Sequence, residues 1–435
     1  MLALFLAPQN AFTEAAIPDI LKFPQDLNFY IAKTTAAKGT ISSTDQGGLN
    51  RKFDEFFFLP WSSGYSPRDK RSVENRIEKC RKKMGYNKKE EKCGPDWANP
   101  LVAKADLNTY PNAGVKAITI SDADIRELPT REPQFKTLGA CKIKNFDNLQ
   151  YSSIAVNTPV FLSHYSKDKL WALIESHTGH GWVPTTQIAV VNESFIAAWQ
   201  TGRYVAITED DAPVTGEKET IHFKSSIGWL FPKSGEDQRH FAVFTASADE
   251  NGNAIIKKAR ISKNYAVEKP LRITSTSVAR IGNQMMGKPY GWGGMDGRRD
   301  CSSMLKDLFT PFGIWLPRDS VEQVRNGFFV SLKNLAAAEK EKKILSEGIP
   351  FLTLIWRKGH ILFYIGEYKG TPALFHEAWG ATTMDENGKI LRRIVGKTIV
   401  SSIYHGSGSR EKANFEQSLI SQVEGMILLV DRKSH

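Results

Sequence analysis

One cysteine stands where a nucleophile would. The glycine-rich loop Gly287 to Gly294 leads to Asp300, Cys301, Ser302 and Ser303, after which Met304, Leu305 and Leu308 recur at helical spacing until Pro311. That pattern predicts a helix that starts at Cys301. The positive end of a backbone dipole favours thiolate over thiol, and the thiolate is the attacking form. A thiol peptidase also needs an imidazole to take the thiol proton and return it to the departing amine. His360 opens the alternating run HILFYIG, ending at Gly366, and is expected at the mouth of a strand, where a polar ring faces a cleft. His376 falls in ALFHEAW, Ala373 to Trp379, on what reads as the adjoining strand. It is expected to orient His360, as the acid does in hydrolase triads. Glu377, next to it, points to the other face by strand parity. Each residue alone also has an ordinary reading, as a buried small side chain or a solvated strand end.

These three residues need a scaffold. After Lys269 and Pro270 a helical pattern runs from Thr274 to Met286, with Val278, Ile281, Met285 and Met286 on one face. A further helix is expected near Ser320, where Ser320 and Gln323 have capping-box spacing, so Arg318 and Gln323 read as structural. Strands are expected at Phe351 to Trp356, His360 to Ile365 and Ala373 to Ala378. Upstream, short β-rich runs such as Thr158 to Leu162 and Leu170 to Ile174 suggest a small barrel. Runs at Tyr204 to Thr208, Ile227 to Phe231 and Phe241 to Phe244 suggest a second. The first hundred residues hold an aromatic cluster, FDEFFFLPW from Phe53 to Trp61, and a charged segment from Arg68 to Lys92. The cluster reads as a packing contact and the charged segment as a solvated helix face.

At 435 residues, with 41% hydrophobic and 24% charged residues, the chain is an ordinary globular protein too long for one core. A formal net charge of +11 favours anionic partners without naming one, and no nucleic-acid partner is expected. Four cysteines without zinc spacing imply neither a disulfide scaffold nor a structural metal. Cys80 and Cys93 remain open between a disulfide and two buried thiols. The apolar start, Met1 to Pro8, resembles a clipped signal peptide, and no apolar run is long enough to span a membrane.

Four ordered blocks then resemble the NlpC-type family of bacterial cell-wall endopeptidases, a papain-like group with a Cys-His-polar triad. They are PYGWGGMDGRRDCSS from Pro289 to Ser303, LPRDSVEQ from Leu316 to Gln323, GHILFYIG from Gly359 to Gly366, and HEAWG from His376 to Gly380. Upstream, DIRELPT (Asp124 to Thr130), FDNLQYSSI (Phe146 to Ile154) and GWVP (Gly181 to Pro184) resemble the first of two bacterial Src-homology-type barrels. FFFLPW (Phe56 to Trp61) resembles the N-terminal stabilising domain of such members. Two departures stand out: Ser303 in place of the usual Gly, and no Gly-Asp-Leu step before the histidine strand.

The resemblance implies an α+β fold. Its parts would be a mainly helical module over residues 1–110, barrels over 111–192 and 193–268, and a papain-like cysteine peptidase domain over 269–435. It implies Cys301, His360 and His376 as catalytic residues, with Tyr290, Asp300 and Ser302 lining the acyl-side pocket, and no cofactor. The expected substrate is a peptidoglycan stem peptide cut between γ-linked D-glutamate and a diamino acid, by a monomer in the periplasm or secreted. An amidase or acyltransferase on the same fold, or an inactive wall-binding scaffold, remain alternatives.

Overall fold

The computed structural model describes residues 18–31, 42–83, 85–216, 220–385, 387–407 and 416–430. The apolar start, Met1 to Pro8, lies outside them. The chain forms two compact units that alternate along the sequence. One contains residues 1–49, 270–290 and 298–435, the other 50–269 and 291–297.

The first unit is built on a six-stranded antiparallel sheet. Its order is Phe328–Ser331, Val423–Leu428, Thr353–Arg357, His360–Tyr368, Thr371–Met384 and Ile390–Ser402. Ile355, Leu362, Leu374 and Met426 bury a core that also takes Ile344 from the helix Ala337–Glu347. Phe309, near the end of the helix Cys301–Phe309, packs edge-on against Phe363 at 5.2 Å between ring centroids. Sheet and helices thus exclude water from each other, the main source of stability in such a layered unit. The helix Ser275–Met285 starts where Thr274 and Ser277 cap each other reciprocally. Its Gly282 admits Leu27, since a Cβ there would lie 2.6 Å from the Leu27 side chain. The outer strand Ile390–Ser402 is covered by a side chain that imitates a strand. Gln25 donates to the Val400 carbonyl at 2.8 Å and accepts from the Val400 amide at 2.9 Å. Edge groups satisfied in this way do not recruit another chain.

The second unit carries two seven-stranded antiparallel sheets. One is formed by strands between Val115 and Val190, the other by strands between Tyr204 and Lys269. Ile125, Val160, Leu162, Ile174 and Val183 fill the first, and Val205, Ile207, Phe231, Val243 and Ile261 the second. Arg126, from the DIRELPT segment, is a buried hub. Its guanidinium donates to Asp147 at 2.6 Å, to Gln150 at 2.8 Å and to the carbonyls of Thr130 and Glu132, each at 3.1 Å. The charged segment forms the helix Lys70–Lys82, capped by Asp69, and it buries Val73 and Ile77; Lys70, Arg71, Lys79 and Lys82 are exposed, while Arg76 turns inward to pair with Glu127. In the aromatic cluster Phe53, Phe57 and Trp61 are buried, and the Trp61 indole donates to the Ala117 carbonyl at 2.8 Å. Cys80 and Cys93 are both free thiols.

The fold is therefore the expected mixture of helix and sheet, with differences in detail. The helix near Ser320 is only Ser320–Gln323, its N-cap is Asp319, and no side chain caps it. Gln323 instead donates to the carbonyls of Ser302 at 2.9 Å and Pro317 at 2.8 Å. The loop before that helix must be tied to the Cys301 helix, and Gln323 answers that need.

Candidate active site

Cys301 is the first residue of its helix and is buried. Asp300 caps that helix: its Oδ1 accepts from the Ser303 amide at 3.0 Å, and the Ser303 hydroxyl accepts from the Asp300 amide at 2.9 Å. Ser303, which replaces the customary glycine, thereby completes a reciprocal cap. Arg318 grips the same carboxylate in a fork, Nη1 to Oδ1 at 3.1 Å and Nη2 to Oδ2 at 2.6 Å, and also donates to the Ser302 hydroxyl at 3.0 Å. Burial alone would raise the Asp300 carboxyl, but Arg318 and the Ser303 donors hold it below the usual carboxylate range. Both oxygens are engaged, so an incoming ammonium would share them with Arg318.

The helix start does not leave a free thiolate. Burial and the neighbouring Asp300 push the Cys301 thiol up to about 12, against the pull of the Ile361 amide, Arg318 and Arg357. Desolvation outweighs the helix dipole, worth about 0.3–1 kcal/mol at an ordinary exposed site. The Ile361 amide that donates to Cys301 follows His360 directly, so the strand mouth lies beside the thiol.

His360 Nε2 is 3.0 Å from His376 Nδ1, and His376 Nε2 is 3.0 Å from the Ser401 hydroxyl. Ser401 is also 3.1 Å from the Ser402 carbonyl, which can only accept. Protons are thus ordered along the row. Ser401 donates to that carbonyl and accepts from His376 Nε2–H, so neutral His376 presents a bare Nδ1 to His360 Nε2–H. The lone pair of neutral His360 is left on Nδ1. Neutrality follows from burial first, which holds both imidazoles well below their ordinary range, reinforced by the Arg357 cation. A third ring, His405, stands edge-on to His376 at 5.3 Å, and burial lowers it to about 4.

Tyr290 is buried, its amide donates to the Gly396 carbonyl at 2.9 Å, and its ring lies 5.5 Å from Trp379. Burial, with the charges of Asp300, Cys301 and Glu377, pushes its hydroxyl well above the phenol range, so it is a neutral donor. Glu377 does not join the histidines. Its carboxyl accepts from the Thr398 hydroxyl across the strand pair, and burial pushes it up to about 8. The residues Gly291–Gly297 belong to the other unit. There Gly293 and Gly294 have φ of 60° and 82°, and a Cβ on Gly294 would stand 2.2 Å from the Ser153 hydroxyl. The two glycines let this loop lie on the strand Gln150–Ile154, where the Trp292 indole donates to the Asp147 carbonyl at 3.2 Å.

The structure thus gathers Tyr290, Asp300, Cys301 and Ser302 around one helix start and joins His360 to His376. Sequence reasoning missed Ser401, His405 and the charge of Arg357. Among the described residues no group of three or more His, Cys, Asp or Glu side chains is placed to hold a metal ion, and no helix is long and apolar enough to cross a membrane.

Comparison with known proteins gives a consistent set of matches. Residues 3–110 match the N-terminal NLPC_P60 stabilising domain, 133–184 an SH3 domain of SH3b1 type, 192–238 an SH3 domain of SH3b2 type, and 287–407 the NlpC/P60 family. A solved NlpC/P60 endopeptidase from Photobacterium damselae subsp. piscicida is 27% identical, with a TM-score of 0.82 over 94% of this chain and 97% of that one. The gamma-D-glutamyl-L-lysine dipeptidyl-peptidase of Bacillus subtilis (strain 168) is 25% identical over 177 residues, 39% of this chain. The match spans 56% of that relative's length. With its stabilising domain, two SH3b domains and peptidase domain in this order, the chain belongs to the NlpC/P60 family of cysteine peptidases.

Proposed function

We propose that the chain is a cell-wall hydrolase of the envelope that cuts stem peptides between γ-linked D-glutamate and the following diamino acid. Cys301 is the nucleophile, His360 its base and His376 the residue that orients the base. The observation that carries this reading is the ordered row from Ser401 through His376 to His360, which leaves the His360 Nδ1 lone pair free of that row, on the residue just before the Ile361 amide that donates to Cys301. Because thiol and imidazole both rest neutral, the proton moves to His360 Nδ1 as the sulfur attacks the γ-carbonyl. The tetrahedral intermediate collapses to a thioester when His360 returns that proton to the diamino acid's amine. Water, deprotonated by the same imidazole, then releases the glutamyl product. Tyr290, Asp300 and Ser302 line the acyl side. The bond is supported by the name of the Bacillus relative, and an extracytoplasmic site of action by the cell-wall substrate.

The test is digestion of purified stem peptides followed by mass spectrometry. We expect a product ending in γ-D-glutamate and one starting with the diamino acid. Cys301→Ala should lower the rate by about 10⁴ to 10⁶ with the thermal unfolding curve nearly unchanged. Release of stems from the sugar, with the γ-glutamyl bond intact, would make the chain an amidase instead.

A further inference from the structure

We propose that Arg357 forms a carboxylate-binding subsite beside Cys301, a role that rests on the substrate proposed above and names the group by which it is held. Arg357 and His360 are register partners at the end of a hairpin whose turn is only Lys358 and Gly359, the latter at φ 80°. Register partners project to the same face with Cβ atoms about 4.5–5.5 Å apart, so the guanidinium and the imidazole emerge together. This short turn occupies the place where the chain departs from the family pattern.

The guanidinium is half-buried and, among the described residues, pairs with no carboxylate. Its hydrogen bonds run from Nη1 to the neutral Gln422 Oε1 at 3.0 Å and to the Lys358 carbonyl at 3.5 Å. The other sequestered arginines behave differently: Arg76 pairs with Glu127, Arg126 with Asp147, Arg299 with Asp307 and Arg318 with Asp300. For Arg357, burial lowers the proton affinity, the Cys301 sulfur works against that, and the charge of a second guanidinium, Arg392, adds to the lowering. A sequestered cation next to another cation is costly unless an anion completes it. The guanidinium fork matches a carboxylate.

The proposed substrate carries such groups on both sides of the scissile bond. A γ-linked glutamate keeps its α-carboxylate, and a terminal diamino acid keeps its own. Either would cancel the Arg357 charge that depresses His360 and His376, so that binding strengthens the base at the moment it is needed.

The first experiment does not depend on the peptide. Cys301 is alkylated with iodoacetate and with iodoacetamide and its tryptic peptide followed by mass spectrometry, because Cys80, Cys93 and Cys141 are also free thiols. The ratio of the two rates cancels any change in thiol reactivity. We expect Arg357→Gln to lower the acid-to-amide ratio by about tenfold or more, Arg357→Lys to fall between, and Lys358→Gln, at an exposed neighbour, to stay within about twofold of wild type. An unchanged ratio in Arg357→Gln, or an equal drop in Lys358→Gln, would overturn the subsite. In the second experiment the stem peptide is supplied as the free acid, as the glutamyl α-carboxamide, and as the C-terminal amide. A loss of about 10- to 100-fold in kcat/KM on one amide, reduced in Arg357→Gln, identifies which carboxylate is held. Equal rates on all three would sink the proposal while leaving the peptidase reading intact. If no peptide is cut, that reading fails, and the alkylation ratio still decides for or against Arg357.

Discussion

Ser401 has no contact with substrate in the proposed mechanism, yet its hydroxyl sets which nitrogen of His360 is bare. Removing it leaves a buried His376 N–H unpaired, a penalty of about 1–3 kcal/mol, which His376 escapes by taking the other tautomer. Two N–H groups would then face each other between His376 and His360. Ser401→Ala should therefore lower kcat about 10- to 100-fold with KM changed less than about threefold, and Ser401→Thr should restore most of it. A purely structural role would instead lower the melting temperature and leave the kcat of the folded fraction intact. The resting protonation state makes a separate prediction. With Cys301 held near 12 and His360 below its ordinary range, alkylation of Cys301 by iodoacetamide should climb about tenfold per pH unit from pH 7 to 9. A plateau beginning below pH 7 would mean a preformed thiolate-imidazolium pair. The thiol and both histidines were visible in the sequence because each sits at a marked place, a helix start or an alternating strand. Ser401 was not, because a serine in a strand has no signature until its neighbour across the sheet is known.

At the level of elements, alternation made the strands at His360 and His376 legible, though the second runs on to Met384. The outer strand Ile390–Ser402 was missed: Arg392 and Arg393 side by side and Gly396 blur its alternation, although Asn387-Gly388 marks a turn just before it. The Ser320 capping box failed because spacing cannot tell a cap from a side chain that reaches another loop. The glycine loop shows the same limit. Its glycines were legible as a motif, but their reason is a close approach to Ser153, far away in sequence. Adding a methyl at Gly294 meets both that hydroxyl and an unfavourable φ, whereas Gly297, at φ 68°, has nothing within 4 Å. Gly297→Ala should cost only the backbone term, about 1 kcal/mol, and Gly294→Ala about 2–4 kcal/mol, read as the difference in urea midpoints at equal m. Equal losses would mean that the Ser153 side chain yields and that the loop is not held tightly.

On the scale of the whole molecule, composition bounded little beyond size and class. The net charge of +11 does not reveal that burial holds titratable groups in both units away from their ordinary range. Two of them have opposite pH windows. His180, in the barrel unit, is lowered to about 3, by burial first and then by Arg76 and Arg68, whereas an unfolded imidazole titrates near 6.5. The unfolded chain gains that proton first on acidification. Stability from His180 is thus full above pH 6.5 and is lost as pH falls toward 3. Glu377, in the peptidase unit, is raised to about 8 from an ordinary 4.5. Here the native state keeps the proton longer, so its contribution is full below pH 4.5 and is lost as pH rises through 8. Neutral isosteres should remove each dependence. His180→Gln, which keeps an acceptor for the Arg76 guanidinium now 2.8 Å from the ring, should melt about 3 °C or more above wild type at pH 5 and level with it at pH 8. Glu377→Gln keeps an oxygen for the Thr398 hydroxyl and should do the reverse, level at pH 4.5 and higher by a similar margin at pH 8.5. The check is a melting series of the three proteins across that range. Parallel curves at every pH would show that neither group is held away from its free protonation state.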